Sequence, residues 1–147
     1  MIRGEDMELL MDFKIKGGDF LNAGESSGMI KEYLKKLGLP PTFIRRVLVA
    51  AYEGELNVVA HAYSGTIAFY MDESKVKVVV TDRGPGIPDI DKAMEEGYST
   101  ASPEVREMGF GAGMGLPNMK RNSDEMEIAS EIDNGTEVTM TFYIEKG

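Results

Sequence analysis

Cysteine is absent from all 147 residues, which excludes disulfides and thiolate metal sites and permits a reducing compartment. The single histidine, His61, makes a histidine-based metal cluster impossible and leaves a Ser-His-Asp triad with little support. No apolar run approaches the ~20 residues that cross a bilayer. The first residues, MIRGEDMELLMDF, carry acidic groups where a signal peptide needs an unbroken apolar stretch, so the cytoplasm is the expected location. Basic residues are few: 16 Lys and Arg stand against 25 Asp and Glu, a formal charge of −9. Nucleic acid and anionic membrane both demand a concentrated basic surface, so neither is expected as a partner. A nucleotide is bound by local geometry, and this balance does not argue against one. What remains, 42% hydrophobic and 28% charged residues, is an ordinary globular composition sized for one domain spanning residues 1–147. The eleven methionines scatter over apparent core positions and read as adaptable filler.

Imperfect alternation over residues 7–16 predicts a first or edge strand. Asn22 to Leu37 reads as a helix, with Met29, Ile30, Tyr33, Leu34 and Leu37 at helical spacing and Gly38 as its left-handed cap. Pro40-Pro41-Thr42 punctuates the chain, and a second helix follows from about Thr42 to Tyr63, closed by Ser64-Gly65. Thr66–Met71 and Val76–Asp82 form a hairpin across Asp72-Glu73-Ser74-Lys75. The stretch from Arg83 to Gly115 is rich in glycine and proline, with one short helical segment near Asp89–Glu96. A helix from about Gly113 to Asp124 comes next, then Met126–Ile132 and Thr136–Ile144 as a hairpin around Asp133-Asn134-Gly135. The pattern is α+β, a two-layer α/β sandwich. A loop as long as the glycine-rich one is usually functional or disordered.

The second helix carries an anomaly: no lysine or arginine occurs between Arg46 and Lys75. Ile44, Val47, Leu48, Ala51, Val58 and Ala62 make one apolar face. Glu53 and Asn57 fall one turn apart on the far side, among Val49, Ala50, Gly54 and Ala60, all small or apolar. They are either a solvated pair on an amphipathic helix or a carboxylate and an amide oxygen aimed at a metal-bound ligand. His61 can join that ridge or pack at the helix end. Glu55 falls in the middle of the apolar face, where the sequence offers no reason for it.

Two glycine-rich elements follow. Asp82-Arg83-Gly84-Pro85-Gly86 ends the apolar run Val78-Val79-Val80. It is either a plain turn shaped by Pro85 or a place where a flat ligand approaches the backbone and an aspartate accepts from an exocyclic amine. Gly109-Phe110-Gly111-Ala112-Gly113-Met114-Gly115 has four alternating glycines, more than a turn requires. Leading into a helix, its N–H groups can cradle phosphates, or it is a flexible lid without ligand. It is neither a Walker A loop nor a Rossmann fingerprint. Lys120 and Arg121 beyond it either touch phosphates or are solvated.

Taken in this order, the elements resemble the GHKL (Bergerat-fold) ATPases over roughly residues 25–145: Glu53-x-x-x-Asn57 looks like the N box, Asp82-x-Gly84-x-Gly86 like the first glycine box, and Gly109 to Gly115 like the second. Thr136, after Asn134-Gly135, matches a threonine near the adenine. Within that superfamily the chain is similar to the small anti-sigma-factor serine kinases and the stressosome switch kinases, through Gly86-Ile87-Pro88-Asp89-Ile90, Glu96-Gly97-Tyr98-Ser99-Thr100 and Lys120-Arg121 before Ser123-Asp124-Glu125.

The resemblance implies a mixed, mostly antiparallel sheet with helices on one face, binding of ATP and Mg2+, and phosphorylation of a small STAS-type antagonist protein in a sigma-factor or phosphatase-regulating switch. It makes Glu53 the general base and Asn57 the Mg2+ ligand. Asp82, Gly84 and Gly86 would meet the adenine with help from Thr136, and Gly109, Gly111, Gly113 and Gly115 would cover the phosphates. It leaves open whether the chain is a homodimer. The alternative is a nucleotide-dependent antagonist-binding module that transfers nothing, for which Asn57 and Asp82 would suffice without a base.

Overall fold

The computed structural model describes residues 7–95 and 115–144. Strand β1 (Glu8–Lys16) leads to helix α1 (Glu25–Lys36), the long helix α2 (Pro41–His61), and the hairpin of β2 (Ser64–Met71) and β3 (Lys75–Arg83). A four-residue turn of helix, α3 (Ile90–Ala93), is followed by α4 (Gly115–Asn122) and the hairpin of β4 (Glu125–Glu131) and β5 (Gly135–Tyr143). The strands form one sheet in the order β1-β2-β3-β5-β4. Every pairing among the described residues is antiparallel, in keeping with the mostly antiparallel sheet expected, and no parallel pair occurs among them. The hairpins β2–β3 and β4–β5 close through short turns, a connection antiparallel neighbours permit, while β1 reaches β2 through α1 and α2.

Period-two alternation sorts the sheet into two faces. Ile67 and Phe69 of β2, Val76, Val78 and Val80 of β3, and Val138, Met140 and Phe142 of β5 point to the helices and are buried. The register stacks them in rows, Phe69 opposite Val78 and Val78 opposite Met140. Following the same parity, Asp82, Thr136 and Ser130 belong to the helix-facing side at one end of the sheet. At the outer edge, β4 alternates exposed Glu125, Glu127, Ala129 and Glu131 with half-buried positions, and the charges discourage pairing with another edge.

Helix α2 lies on this sheet along β3, and small residues set the approach. A Cβ added at Gly54 would stand 2.8 Å from Val80 Cγ2, one at Gly65 would stand 2.9 Å from Val58 Cγ1, and one at Gly84 would stand 3.1 Å from Ala62 Cα. Pro41 begins the helix, where its missing N–H costs nothing. The helix ends at His61, earlier than expected. Ser64 and Gly65, read from sequence as its stop, already belong to β2. The N–H groups of Gly17 and Gly18 bond the carbonyls of Tyr63 (2.9 Å) and Val59 (2.8 Å), tying off that end.

Two expectations about helix faces are corrected. Ala50 and Gly54, assigned to the far side of α2, are buried, because α4 and α1 cover more of its circumference than the sheet alone would. In α1 the buried set is Ser26, Ser27, Ile30 and Leu34, while Met29 and Leu37 are 57% and 47% exposed. That helix also starts at Glu25, three residues later than expected, since Gly24 has a φ of 103° and the Asn22 side chain donates to Asp19 instead. Gly38 is the left-handed cap, with φ 73° and its N–H on the Lys35 carbonyl.

The same packing explains Glu55, which is 1% exposed. Its Oε2 accepts from the Gly24 N–H at 2.8 Å, and its Oε1 accepts from the Ser27 hydroxyl at 3.0 Å and the Ser27 N–H at 3.4 Å. Helix α1 has no side-chain cap of its own, and a carboxylate from α2 supplies it across the helix pair.

Candidate functional site

The site is built at the end of the sheet where β3 runs out under α2. Asp82, the last helix-facing residue of β3, is half-buried, and its Oδ1 accepts from the Thr136 N–H at 3.1 Å. Its Oδ2 has no hydrogen bond to any described residue and is open to a donor. Burial pushes the Asp82 carboxyl above its ordinary range, only partly offset by the Thr136 N–H.

The turn after Asp82 is pinned to the β4–β5 hairpin at three points. The Asp133 N–H donates to the Pro85 carbonyl at 2.9 Å, and the Ile87 N–H donates to Ser130 Oγ at 2.8 Å. Gly86, with φ 79°, lies so close that an added Cβ would stand 2.5 Å from the Glu131 carbonyl oxygen. Gly135, with φ 123°, leaves no room either: its Cβ would stand 2.0 Å from the Asp82 carbonyl oxygen. Both glycines are therefore required by close approach as well as by a positive φ. Ser130 Oγ also shares a hydrogen bond with Thr136 Oγ1 at 2.9 Å. Sequence reasoning missed Ser130, whose only signal is its register position opposite Thr136.

Glu53 and Asn57 project from the ridge of α2 that faces α4, both half-buried. Asn118 Nδ2 of α4 donates to Glu53 Oε2 at 2.6 Å. The Asn57 amide makes no hydrogen bond to any described residue, and its Oδ1 lies where a Cβ on Gly115 would come within 3.0 Å. Gly115 is thus the residue that lets the start of α4 meet Asn57. The positive end of that helix opens beside the amide oxygen. His61 does not join this pair: it sits at the last turn of α2, where burial holds its imidazole below the ordinary range. Lys120 and Arg121 are exposed on α4, and Arg121 donates to Asn118 Oδ1.

The structure therefore brings together Asp82, Gly84, Gly86 and Thr136 at the end of the sheet, and Glu53, Asn57 and Gly115 at the contact of α2 with α4. Gly109, Gly111 and Gly113 lie outside the described residues. Among the described residues no three acidic or histidine side chains converge as a metal site, and no helix is long and apolar enough to cross a membrane. An ion that arrives with phosphate oxygens and takes one amide ligand suits the lone Asn57.

Comparison with known proteins gives the family and the fold. Residues 23–142 match the histidine kinase-like ATPase domain. The serine/threonine-protein kinase RsbT of Bacillus subtilis (strain 168) is 37% identical over 108 residues, covering 71% of this chain and 75% of that protein. An anti-sigma F factor of Caldanaerobacter subterraneus subsp. tengcongensis is 36% identical over 113 residues, 72% of this chain and 76% of the relative. In fold, the chain superposes on the RsbU and RsbW domains of Rv1364c from Mycobacterium tuberculosis with a TM-score of 0.62 at 18% identity, over 94% of this chain and 34% of that one. The SiaB-SiaC complex from Pseudomonas aeruginosa gives a TM-score of 0.59 at 15% identity, covering 91% of this chain and 89% of the matched one.

Proposed function

Since the chain belongs to the histidine kinase-like ATPase family, we propose that it is an ATP-dependent protein serine/threonine kinase that controls a partner-switching pathway by modifying a small STAS-type antagonist. The observation that carries this reading is the pair on α2. A carboxylate held by Asn118 and an amide without a hydrogen bond to any described residue stand one turn apart against the first turn of α4.

The residues fit a nucleotide at both ends. Asp82 Oδ2 has no hydrogen bond to a described residue and can accept from an exocyclic amine, while Gly86 and Gly135 let the turn after Asp82 and the β4–β5 hairpin close around it. Thr136 steadies the Asp82 carboxylate through its N–H. Mg-ATP, when bound, supplies an activated phosphoryl group together with the ion that neutralises its charge. Asn57 would hold the ion through Oδ1, and Gly115, with Gly109, Gly111 and Gly113 before it, would line the phosphates. Glu53 accepts the proton of the partner's serine or threonine hydroxyl, for which it must be ionised and within hydrogen-bond reach. A binding module needs the adenine subsite and Asn57 but has no use for a carboxylate held at that place.

The antagonist itself, its link to a sigma factor or a phosphatase regulator, residence in the cytoplasm, and self-association as a homodimer all belong to this proposal. The decisive test uses Mg-[γ-32P]ATP with purified STAS-domain proteins. Wild type should label one of them on serine or threonine, and Glu53→Gln should bind ATP normally yet label none. If Glu53→Gln labels at the wild-type rate, Glu53 is a solvated helix residue and the base is elsewhere. Tight ATP-dependent capture of a STAS protein without labelling would identify a binding module.

A further inference from the structure

Asn118 stands between an anion and a cation. It lies three residues beyond Gly115, in the first turn of α4, and its Nδ2 donates to Glu53 Oε2 at 2.6 Å while its Oδ1 accepts from the Arg121 guanidinium. The partners fix which end of the amide is which, because a carboxylate only accepts and a guanidinium only donates. Its backbone is held too, since Asn122 Nδ2 donates to the Asn118 carbonyl at 2.8 Å. We propose that Asn118 is the positioning residue for the base. It holds one oxygen of Glu53 and leaves Oε1, which has no hydrogen bond to any described residue, presented to the incoming hydroxyl. Arg121, one turn along the same helix, fixes the amide in the orientation that donates. This rests on the reading of Glu53 as the base.

The physical case is one of side-chain freedom. A half-buried glutamate turns about three side-chain bonds, and left unheld it would present its oxygens in many directions. A single short, charge-assisted bond to Oε2 removes most of that freedom and costs the base only one of its two oxygens. An aspartate at 118 would keep Arg121 but set two carboxylates against each other. A leucine would fill similar space and hold neither neighbour.

The arrangement also explains why α4, the helix that follows the second glycine-rich element, packs against the ridge of α2 that bears Glu53. Placing the base becomes a property of the α2–α4 contact, which Met119 reinforces beneath Asn118 by lying within 3.7 Å of where a Gly54 Cβ would be.

The test combines two readouts. In the 15N-labelled protein, the side-chain amide resonances of Asn118 should shift when Glu53 is changed to Gln. No shift would mean that the bond is not formed and would overturn the proposal without any substrate. In single-turnover transfer from Mg-[γ-32P]ATP to the STAS protein that wild type labels, Asn118→Leu and Asn118→Asp should each slow the reaction about ten- to a hundredfold. Their Mg-ATP affinity by calorimetry should stay within about twofold, the loss expected when a positioning contact and not a binding contact is removed. A loss of affinity that matches the loss of rate would make Asn118 a nucleotide-binding or merely structural residue. Wild-type rates in both Asn118 variants, alongside an inactive Glu53→Gln, would sink the positioning role and leave Glu53 as the base. Full activity in Glu53→Gln would remove the base and Asn118's role with it.

Discussion

Glu55→Ala removes the cap that one helix lends another, and its cost can be worked from the structure. The buried carboxylate accepts at 2.8 Å from Gly24 and at 3.0 Å from the Ser27 hydroxyl, with a weaker contact to the Ser27 N–H at 3.4 Å. A hydrogen bond to a charged group contributes about 1.5–3 kcal/mol, and its orphaned donor then carries its own desolvation cost. Two good bonds give roughly 3–6 kcal/mol. Relief of the buried charge offsets part of this, leaving about 3 kcal/mol. Against a total of about 5–15 kcal/mol for a domain of this kind, that is a large fraction. With an m-value near ~2 kcal/mol/M, the urea midpoint should fall by about 1.5 M at unchanged m. Glu55→Gln keeps one acceptor and turns an NH2 toward a donor, so it should lose about half as much. Amide exchange at Gly24 and Ser27 should accelerate in both variants ahead of the β3 core, because the cap protects the start of α1 specifically. A midpoint within about 0.3 M of wild type, or exchange that rises equally everywhere, would refute the cap as the reason for this residue.

Two further outcomes follow from the shifted titrating groups. Burial raises the Asp82 carboxyl, so the folded state holds its proton more tightly than the unfolded chain and the charged form at neutral pH is unfavourable. Asp82→Asn should therefore raise the melting temperature at pH 7 while losing preference for adenine over guanine nucleotides; a lower melting temperature, or equal loss of ATP and GTP, would contradict that account. His61 is lowered by burial, so the unfolded chain takes up a proton first as pH falls below the ordinary 6.5. Stability should decline from pH 6.5 down to the lowered folded value, and His61→Gln should flatten that slope between pH 7.5 and 5.5 in urea titrations. Parallel slopes for the two proteins would show that His61 is not the sensor.

The strands and the hairpin turns were legible because period-two patterns and Asp133-Asn134-Gly135 encode themselves locally. The cluster proposed to meet adenine could be picked out for the same reason: Asp82, Gly84 and Gly86 sit at a strand end and the turn after it, and Thr136 stands beside Gly135 at the start of β5. What could not be read were features created by packing between elements distant in sequence. Glu55 looked out of place on an apolar face because its partners, Gly24 and Ser27, lie about thirty residues earlier on another helix. Gly54 read only as a small neighbour of Glu53 and Asn57, and is the point where the helix touches Val80. What covers Ala50 on the far side of α2 could not be read, because one helical period cannot tell how many neighbours will pack on a helix. Asn118 has no sequence motif of its own, and only the α2–α4 contact shows that it meets Glu53, 65 positions away. The early start expected for α1 failed on Gly24, whose positive φ delays the helix.

An ATP-dependent kinase requires that Asn57 and the two glycine-bounded subsites form a nucleotide site. Calorimetric titration of ATP, with and without Mg2+, into wild type and Asn57→Ala tests this most directly. Wild type should bind with an affinity that depends on Mg2+, and Asn57→Ala should lose that dependence while keeping its fold, since among the described residues the amide has no hydrogen bond to forfeit. Absence of binding at millimolar ATP, or identical Mg2+-dependent binding in the variant, would contradict the assignment of this end of the sheet as the site of an ATP-dependent kinase.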